Sequence, residues 1–185
     1  MSNHLKIIGK SAFGYCESFV GDLIIPKNVE VINSSAFYGC GFDGKLVIDN
    51  EKLTKIGASV FSSGKYKNII IGDNVTEIEE SAFMGCNQTE TIIIGKNISK
   101  IWKGAFEYCN PQKFIIKSIF PPNLEKMFQN YVQDATPRDC FGIKNPCLVV
   151  PYGSKKSYYD KYTADDYNKG AAFHTVIEAD LEEEL

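Results

Sequence analysis

The chain has 185 residues, of which 44% are apolar and 23% are charged, and its formal net charge at pH 7 is -3. This composition is ordinary for a soluble globular protein, and the near balance of charge argues against nucleic acid or an anionic membrane as the main partner. No apolar stretch approaches the roughly 20 residues that a membrane-spanning helix needs.

The chain opens in the middle of a repeat unit. Leu5-Lys6-Ile7-Ile8 carries the pattern of the second strand of the unit described below, and no capping segment precedes it. Terminal repeats of a solenoid need a polar cap. We therefore expect the chain to be trimmed, with any export signal lost in a segment that preceded Met1.

One short phrase returns five times along the chain, each time around a phenylalanine. The steps between these phenylalanines are 24, 24, 22 and 23 residues. A unit of this size cannot bury a core alone, so the copies must stack into a solenoid. The five phrases are Ala12-Phe13-Gly14-Tyr15-Cys16, Ala36-Phe37-Tyr38-Gly39-Cys40, Val60-Phe61-Ser62-Ser63-Gly64, Ala82-Phe83-Met84-Gly85-Cys86 and Ala105-Phe106-Glu107-Tyr108-Cys109.

Two short apolar segments accompany each phrase and predict two short strands per unit. Both are rich in β-branched residues, and turn residues close most of them. Stacked units would pair these strands in parallel ladders about 4.8 Å apart, with the phenylalanines inside. The first set is 23–25, 46–48, 69–71, 92–94 and 114–116, and the second set is 5–8, 29–32, 53–56, 75–78 and 98–101.

Four of the six cysteines recur at one repeat position, which Gly64 occupies in the third unit. The simpler interpretation is a small buried side chain that recurs with the repeat, and metal sites or disulfides are the alternative. No C-x-x-C pair is present, which gives zinc little support. Cys140 and Cys147 can pair only if their Cα atoms lie within about 7 Å, and the sequence leaves this open.

Patterns of catalytic residues are missing from the sequence. The two histidines, His4 and His174, lie near opposite ends of the chain, which argues against a two-histidine metal site and a Cys-His nucleophile pair. There is no phosphate-binding glycine loop, G-x-S-x-G or H-E-x-x-H. We therefore predict no catalytic, cofactor or metal site. A glycosidase that works from surface carboxylates is the remaining enzyme alternative.

The repeat motifs resemble those of leucine-rich repeats. Three units match the L-x-L-x-x-N core, and the match weakens in the second unit, where Asp49-Asn50-Glu51 holds an extra residue, and in the fifth. The fuller pattern of strand, Pro or Gly, V-T-x-I and A-F-x-x-C resembles the BspA-like leucine-rich repeat family, which is seen at bacterial cell surfaces, chiefly in gut and oral bacteria, and in some protist parasites. The three matching segments are Leu23-x-Ile25-x-x-Asn28, Ile69-x-Ile71-x-x-Asn74 and Ile92-x-Ile94-x-x-Asn97.

The resemblance implies a mainly β repeat solenoid, a right-handed superhelix of short parallel strands with a small α-containing C-terminal cap. It also implies a non-enzymatic protein-binding or adhesion module, secreted or displayed on a bacterial surface, with no shared catalytic residues. Its partner would be a host matrix or bacterial surface protein, and self-association is a further option. A structural spacer that carries another domain is the alternative from a different class.

The period breaks after residue 117. We predict five repeats over 1–117, an irregular excursion over 118–147, a terminal strand and capping helix over 148–178, and a solvated acidic tail over 179–185. Within the excursion, Asn123–Tyr131 has the pattern of a short helix with Asn123 at its N-cap.

The segment from residue 147 to Glu178 resembles the usual C-terminal ending of the BspA-like family. Leu148–Val150 predicts a sixth strand, and Ser154 predicts the N-cap of a helix that carries Tyr158, Tyr159 and Tyr162. This helix is either a cap on the solenoid end or an aromatic platform for a ligand.

Alternation within each strand decides which side chains leave the core, and it predicts two outward rows on the first sheet. One row is apolar and the other is polar. A contiguous row of exposed β-branched side chains is either a protein-contact surface or a consequence of strand propensity, shielded by its neighbours. The candidate protein-binding residues are Asp22, Ile24, Lys45, Val47, Asn68, Ile70, Thr91, Ile93, Lys113 and Ile115, and Val149 extends the apolar row if the sixth strand joins.

Overall fold

The structure is a computed structural model that describes residues 4–109, 111–124, 147–162 and 175–181. These ranges contain thirteen short strands and one helix. The strands are β1 (Ile7–Ile8), β2 (Leu23–Ile24), β3 (Val31–Ile32), β4 (Lys45–Ile48), β5 (Lys55–Ile56), β6 (Asn68–Ile71), β7 (Glu77–Ile78), β8 (Thr91–Ile94), β9 (Lys100–Ile101), β10 (Lys113–Ile116), β11 (Asn123–Leu124), β12 (Cys147–Pro151) and β13 (Thr175–Ala179), and the helix is α1 (Lys155–Tyr162).

The strands stack in parallel from coil to coil. The order β2-β4-β6-β8-β10-β12-β13 makes a seven-stranded sheet, β5-β7-β9-β11 makes a four-stranded sheet, and β1 pairs with β3. Every described pairing is parallel, for example β4 with β6 and β6 with β8. The predicted repeat solenoid of short parallel strands is therefore confirmed, because each coil completes its hydrogen bonds on the next one.

The phenylalanines of the repeated phrase form a continuous stack inside the coils. Neighbouring ring centroids lie 5.1 to 5.5 Å apart along the series, and the rings are within 12° of parallel. Phe61 is fully buried between Phe37 and Phe83. Its backbone N–H also donates to the carbonyl of Ala82 at 2.9 Å, so the turns of adjacent coils are joined by both packing and hydrogen bonds.

The beginning of the excursion differs from the expected helix. Asn123 and Leu124 form β11, which pairs in parallel with Lys100 and Ile101 of β9. The helix prediction is therefore wrong at its first two residues, because pairing with the sheet edge outweighs the local capping preference. The rest of that predicted helix, over 125–131, lies outside the described residues, as do Cys140 and His174.

Ser154 occupies the predicted N-cap position of α1, because its carbonyl accepts the N–H of Tyr158 at 3.2 Å, but its side chain does not cap the helix. Ser154 precedes the helix, but its Oγ donates to the carbonyl of Pro151 at 2.6 Å. The first helical N–H, that of Lys155, donates instead to Oε1 of Glu178 at 2.7 Å. A carboxylate from β13 thus supplies the negative group that a helix N-terminus favours, and it fastens α1 to the sheet.

Tyr158 is a packing residue of this helix. Its side chain is fully buried, and its hydroxyl donates to the carbonyl of Ser118 at 2.7 Å. The aromatic-platform interpretation is therefore wrong for Tyr158, because no face of its ring is open to a ligand. The side chains of Tyr159 and Tyr162 lie outside what the structure describes.

The C-terminal end of the described chain adds a strand that sequence reasoning missed. β13 pairs in parallel with β12 along its whole length, from Thr175 to Ala179. Leu181 follows it and is only 8% exposed, where the sequence predicted a solvated tail. Its burial places a segment of the chain over the outer face of the seven-stranded sheet.

Candidate functional site

The register of the seven-stranded sheet aligns the candidate side chains in two rows. The apolar row continues beyond the residues that the sequence singled out, because Val149 of β12 pairs with Ile177 of β13. Two residues earlier in each strand, the polar candidates form the second row. The apolar row is Ile24, Val47, Ile70, Ile93, Ile115, Val149 and Ile177, and the polar row contains Lys45, Asn68, Thr91 and Lys113.

The apolar row is open in one part and covered in another. Ile24 is 62% exposed, and Val47 and Ile70 are half-buried. In contrast, Ile93 is 8% exposed and Ile115 is 0% exposed. The expectation that the whole row is exposed is therefore wrong. We call Ile24, Val47 and Ile70 the open half and Ile93, Ile115 and Val149 the covered half.

A leucine from the C-terminal segment lies on the covered half. Leu181 forms one apolar cluster with Ile93, Ile115 and Val149, and Ile70 and Ala179 pack against it. The chain leaves β13 at Ala179, so it must turn over the outer face of the sheet for Leu181 to join this cluster. Burial of apolar surface contributes about 25 cal/mol per Å², so this contact favours the position of the segment on the sheet.

The polar candidates near the open half have distinct roles. Oδ1 of Asp22 accepts the backbone N–H of Lys45 at 2.7 Å, so this carboxylate holds the first two coils in register. Asp43 does the same for the N–H of Gly21 at 2.7 Å, and this hydrogen bond holds the pKa of Asp43 below its ordinary value. The Lys45 side chain is exposed, and no ion pair links it to a carboxylate within the described ranges.

The faces formed by the short second strands carry charges that pair with one another. Lys55 lies 2.7 Å from Glu79 and 3.6 Å from Glu77. Glu30 contacts both Lys6 and Lys52, and the hydrogen bond from Lys52 is the main cause that lowers the pKa of Glu30. Exposed pairs like these contribute little stability.

The repeat cysteines point into the coils and donate to the preceding coil. Sγ of Cys40 lies 2.8 Å from the carbonyl of Phe13, and Cys86 and Cys109 repeat this contact at 3.3 and 3.1 Å. Burial raises the pKa of the Cys40 thiol to about 11, so little nucleophilic thiolate forms at neutral pH. The four repeat cysteines are free thiols, and Cys16 in the first coil is half-buried.

In the third coil, Gly64 stands at the cysteine position, and the ring of Tyr66 occupies the space beside it. A Cβ at Gly64 would lie 2.1 Å from Cε2 of Tyr66, so the tyrosine ring fills the space that a cysteine takes in the other coils. Tyr66 is fully buried and meets Phe61 edge-on with centroids 6.2 Å apart. In the described part of the chain its hydroxyl has no hydrogen-bond partner, and burial raises the pKa of Tyr66 above its ordinary value.

Asn50 is a second structural residue that sequence reasoning underrated. It lies where the repeat motif is weakest, yet its side chain is 1% exposed. Its Nδ2 donates to the carbonyls of Pro26 and Val29, at 2.6 and 2.9 Å. Its Oδ1 accepts the N–H groups of Lys52 and Leu53, at 2.7 and 2.9 Å. One side chain therefore satisfies four backbone groups in two coils.

The described residues also bear on metal binding and on membrane insertion. Those residues contain no group of three or more His, Cys, Asp or Glu side chains placed to hold a metal ion. Among them there is also no helix that is long and apolar enough to cross a bilayer.

Comparison with known proteins identifies the family. No curated protein matches the chain. The family model of the BspA-type leucine-rich repeat region matches residues 6–133 with six copies, and so continues beyond residue 117, where sequence reasoning ended the fifth repeat. Proteins with these repeats are commonly surface-associated, and their solenoids typically act as protein-interaction scaffolds. Because the match spans more than half of the sequence and the fold is the stacked parallel solenoid that it requires, the chain belongs to the BspA-type leucine-rich repeat family.

Proposed function

We propose that the chain is a non-enzymatic protein-binding module, secreted or displayed on a bacterial surface, that contacts its partner through the outer face of the seven-stranded sheet. The family match supports a protein-interaction scaffold. The partner would be a host matrix protein or a bacterial surface protein.

The open half of the apolar row is the observation that carries this proposal. Ile24 is 62% exposed, and the row continues from it to Val47 and Ile70 on the adjacent paired strands. Adjacent strands lie about 4.8 Å apart, so the three side chains form one contiguous apolar surface. Lys45, Asn68 and Asp22 border it, which matches the apolar centre and polar rim of a protein interface.

A selection from a displayed peptide library tests this function. The full chain is the bait, and every enriched peptide is then measured on the Ile24→Lys/Val47→Lys variant. We expect peptides whose affinity falls at least about tenfold on this variant, which corresponds to about 1.4 kcal/mol. Both positions are at least partly exposed, so the lysines are compatible with the fold.

Val31→Lys is the matched control for the selection. Val31 is also a β-branched strand residue and is 43% exposed, but it lies on β3, which pairs with β1 outside the seven-stranded sheet. Affinity for the selected peptides should be unchanged on this control. The proposal is refuted if no peptide is enriched, or if the enriched peptides bind the Ile24→Lys/Val47→Lys variant as well as they bind the original chain.

A further inference from the structure

The protein itself provides an occupant for part of its outer face. After β13 ends at Ala179, Leu181 enters the cluster on the covered half, with only 8% of its surface exposed. The neighbouring residue Asp180 stays exposed. The covered half therefore accepts a short segment in which a leucine packs on the sheet and an exposed aspartate precedes it.

The open half continues the same surface without a break. Ile70 packs against the Leu181 cluster and is also paired with Val47 in the register of the sheet. The residues of the two halves have the same chemistry, since each row position is Ile or Val. The surface that takes Leu181 into one cluster with Ile93, Ile115 and Val149 therefore continues with the same kind of side chain over Val47 and Ile24.

The apolar row is narrow, which restricts what can bind to it. On either side of Val47, the next outward positions are Lys45 in β4 and Asp49 directly after it, both exposed. An amphipathic helix buries an apolar stripe at least 100° wide, which needs a broader surface than a row one residue wide. An extended peptide that places a single apolar side chain on the row fits this width.

The charges beside the row set the chemistry of the segment next to its leucine. Lys45 lies on the same face as Val47, two residues earlier, and its side chain forms no ion pair among the described residues. Asp49 lies on the opposite border of the row and repels a carboxylate there. Asp22 also lies on the Lys45 side, but its Oδ1 already accepts the backbone N–H of Lys45 at 2.7 Å. The exposed cation at this border is Lys45, and a peptide carboxylate is directed towards it.

We propose that the open half binds a short peptide segment of the partner protein that carries a leucine-type side chain next to a carboxylate, in the manner of Asp180-Leu181 on the covered half. This inference rests on the proposed protein-binding function and names the chemistry of its partner.

A labelled copy of the C-terminal segment is the probe for this proposal. A fluorescein-labelled peptide of residues 175–183 is titrated with the full chain and followed by fluorescence anisotropy. We expect saturable binding, and no saturable binding by a control peptide that carries Leu181→Asp. The chain variant Val47→Lys should weaken binding at least about tenfold and Lys45→Glu about fivefold, whereas Val31→Lys should leave it unchanged. Circular dichroism of each variant verifies that its fold is retained.

A chain variant with Leu181→Lys distinguishes the two halves of the row. If the peptide binds only this variant, it is refilling the covered half, and the proposal for the open half is wrong. The absence of saturable binding to the original chain, or equal binding of the Leu181→Asp peptide, also overturns it. If the library selection instead yields row-dependent peptides without an aliphatic residue beside a carboxylate, this inference fails while the protein-binding function stands. If the selection yields no peptide whose affinity depends on the apolar row, both this inference and the protein-binding function are wrong.

Discussion

Replacing Tyr66 by phenylalanine is expected to stabilise the protein. The tyrosine is fully buried, and its hydroxyl has no hydrogen-bond partner among the described residues. A buried hydroxyl without a partner costs about 1–3 kcal/mol, because it gives up its hydrogen bonds to water on folding. The Tyr66→Phe change removes this cost and keeps the ring that fills the space beside Gly64. After allowance for the lost contacts of one oxygen atom, we expect a net gain of about 1 kcal/mol.

Urea unfolding followed by circular dichroism measures this gain. The midpoint should rise without a change in slope, and the melting temperature should rise by about 2–4 °C for a chain of this size. Tyr158→Phe is the matched control, because Tyr158 is equally buried but its hydroxyl donates to the carbonyl of Ser118 at 2.7 Å. That variant should lose about 0.5–1.5 kcal/mol.

The opposite signs expected for the two tyrosines make the reasoning refutable. If the free energy of unfolding of Tyr66→Phe is lower by more than about 0.5 kcal/mol, with the slope of the urea dependence unchanged, the hydroxyl of Tyr66 is hydrogen-bonded in the folded protein. If Tyr66→Phe and Tyr158→Phe change the free energy of unfolding equally, the hydrogen bond of the Tyr158 hydroxyl does not stabilise the protein.

Three further changes test the internal structure of the coils. Asn50→Ala should cost about 3 kcal/mol in the same urea titration, because it leaves backbone groups of two coils without partners. Asn74→Ala, at an exposed residue, removes a hydrogen bond of 3.2 Å to the carbonyl of Asn50 and should cost under about 1 kcal/mol. Phe61→Ala should cost about 3–5 kcal/mol and separate the melting of the coils on its two sides, while Phe19→Ala, at an exposed ring, should leave one transition. Burial raises the pKa of the Cys40 thiol from 9.0 to about 11. The stability that the neutral thiol contributes should therefore be complete below pH 9 and be lost as the pH rises to 11. Cys40→Ala should remove this part of the pH dependence of the melting temperature. An unchanged pH dependence in Cys40→Ala would contradict that assignment.

The repeat period and the alternation inside each strand determined the solenoid. Phe37 and Phe83 recur at one repeat position, so stacking alone brings them into the core, and Leu46 and Ile48 point inward because side chains alternate along a strand. These inferences succeed because every coil repeats the same local pattern against a neighbour of the same kind.

Features that depend on an exception to the repeat were not accessible in this way. Gly64 and Tyr66 compensate for each other in volume, and a glycine in place of cysteine does not reveal which ring fills the space. Asn50 lies in a unit whose motif contains an extra residue, yet the backbone turn brings it to four partners. Both depend on the path of the turn, which composition does not specify.

The candidate site shows the same division most clearly. Strand alternation determined that Ile70 and Ile115 share one outward row, and the register of the sheet aligns them. Only the tertiary structure decided that Ile115 is buried while Ile24 is exposed, because the cover includes Leu181, a residue 66 positions later in the chain than Ile115. Local periodicity specifies the direction in which a side chain points, whereas its exposure depends on contacts with segments that are distant in sequence.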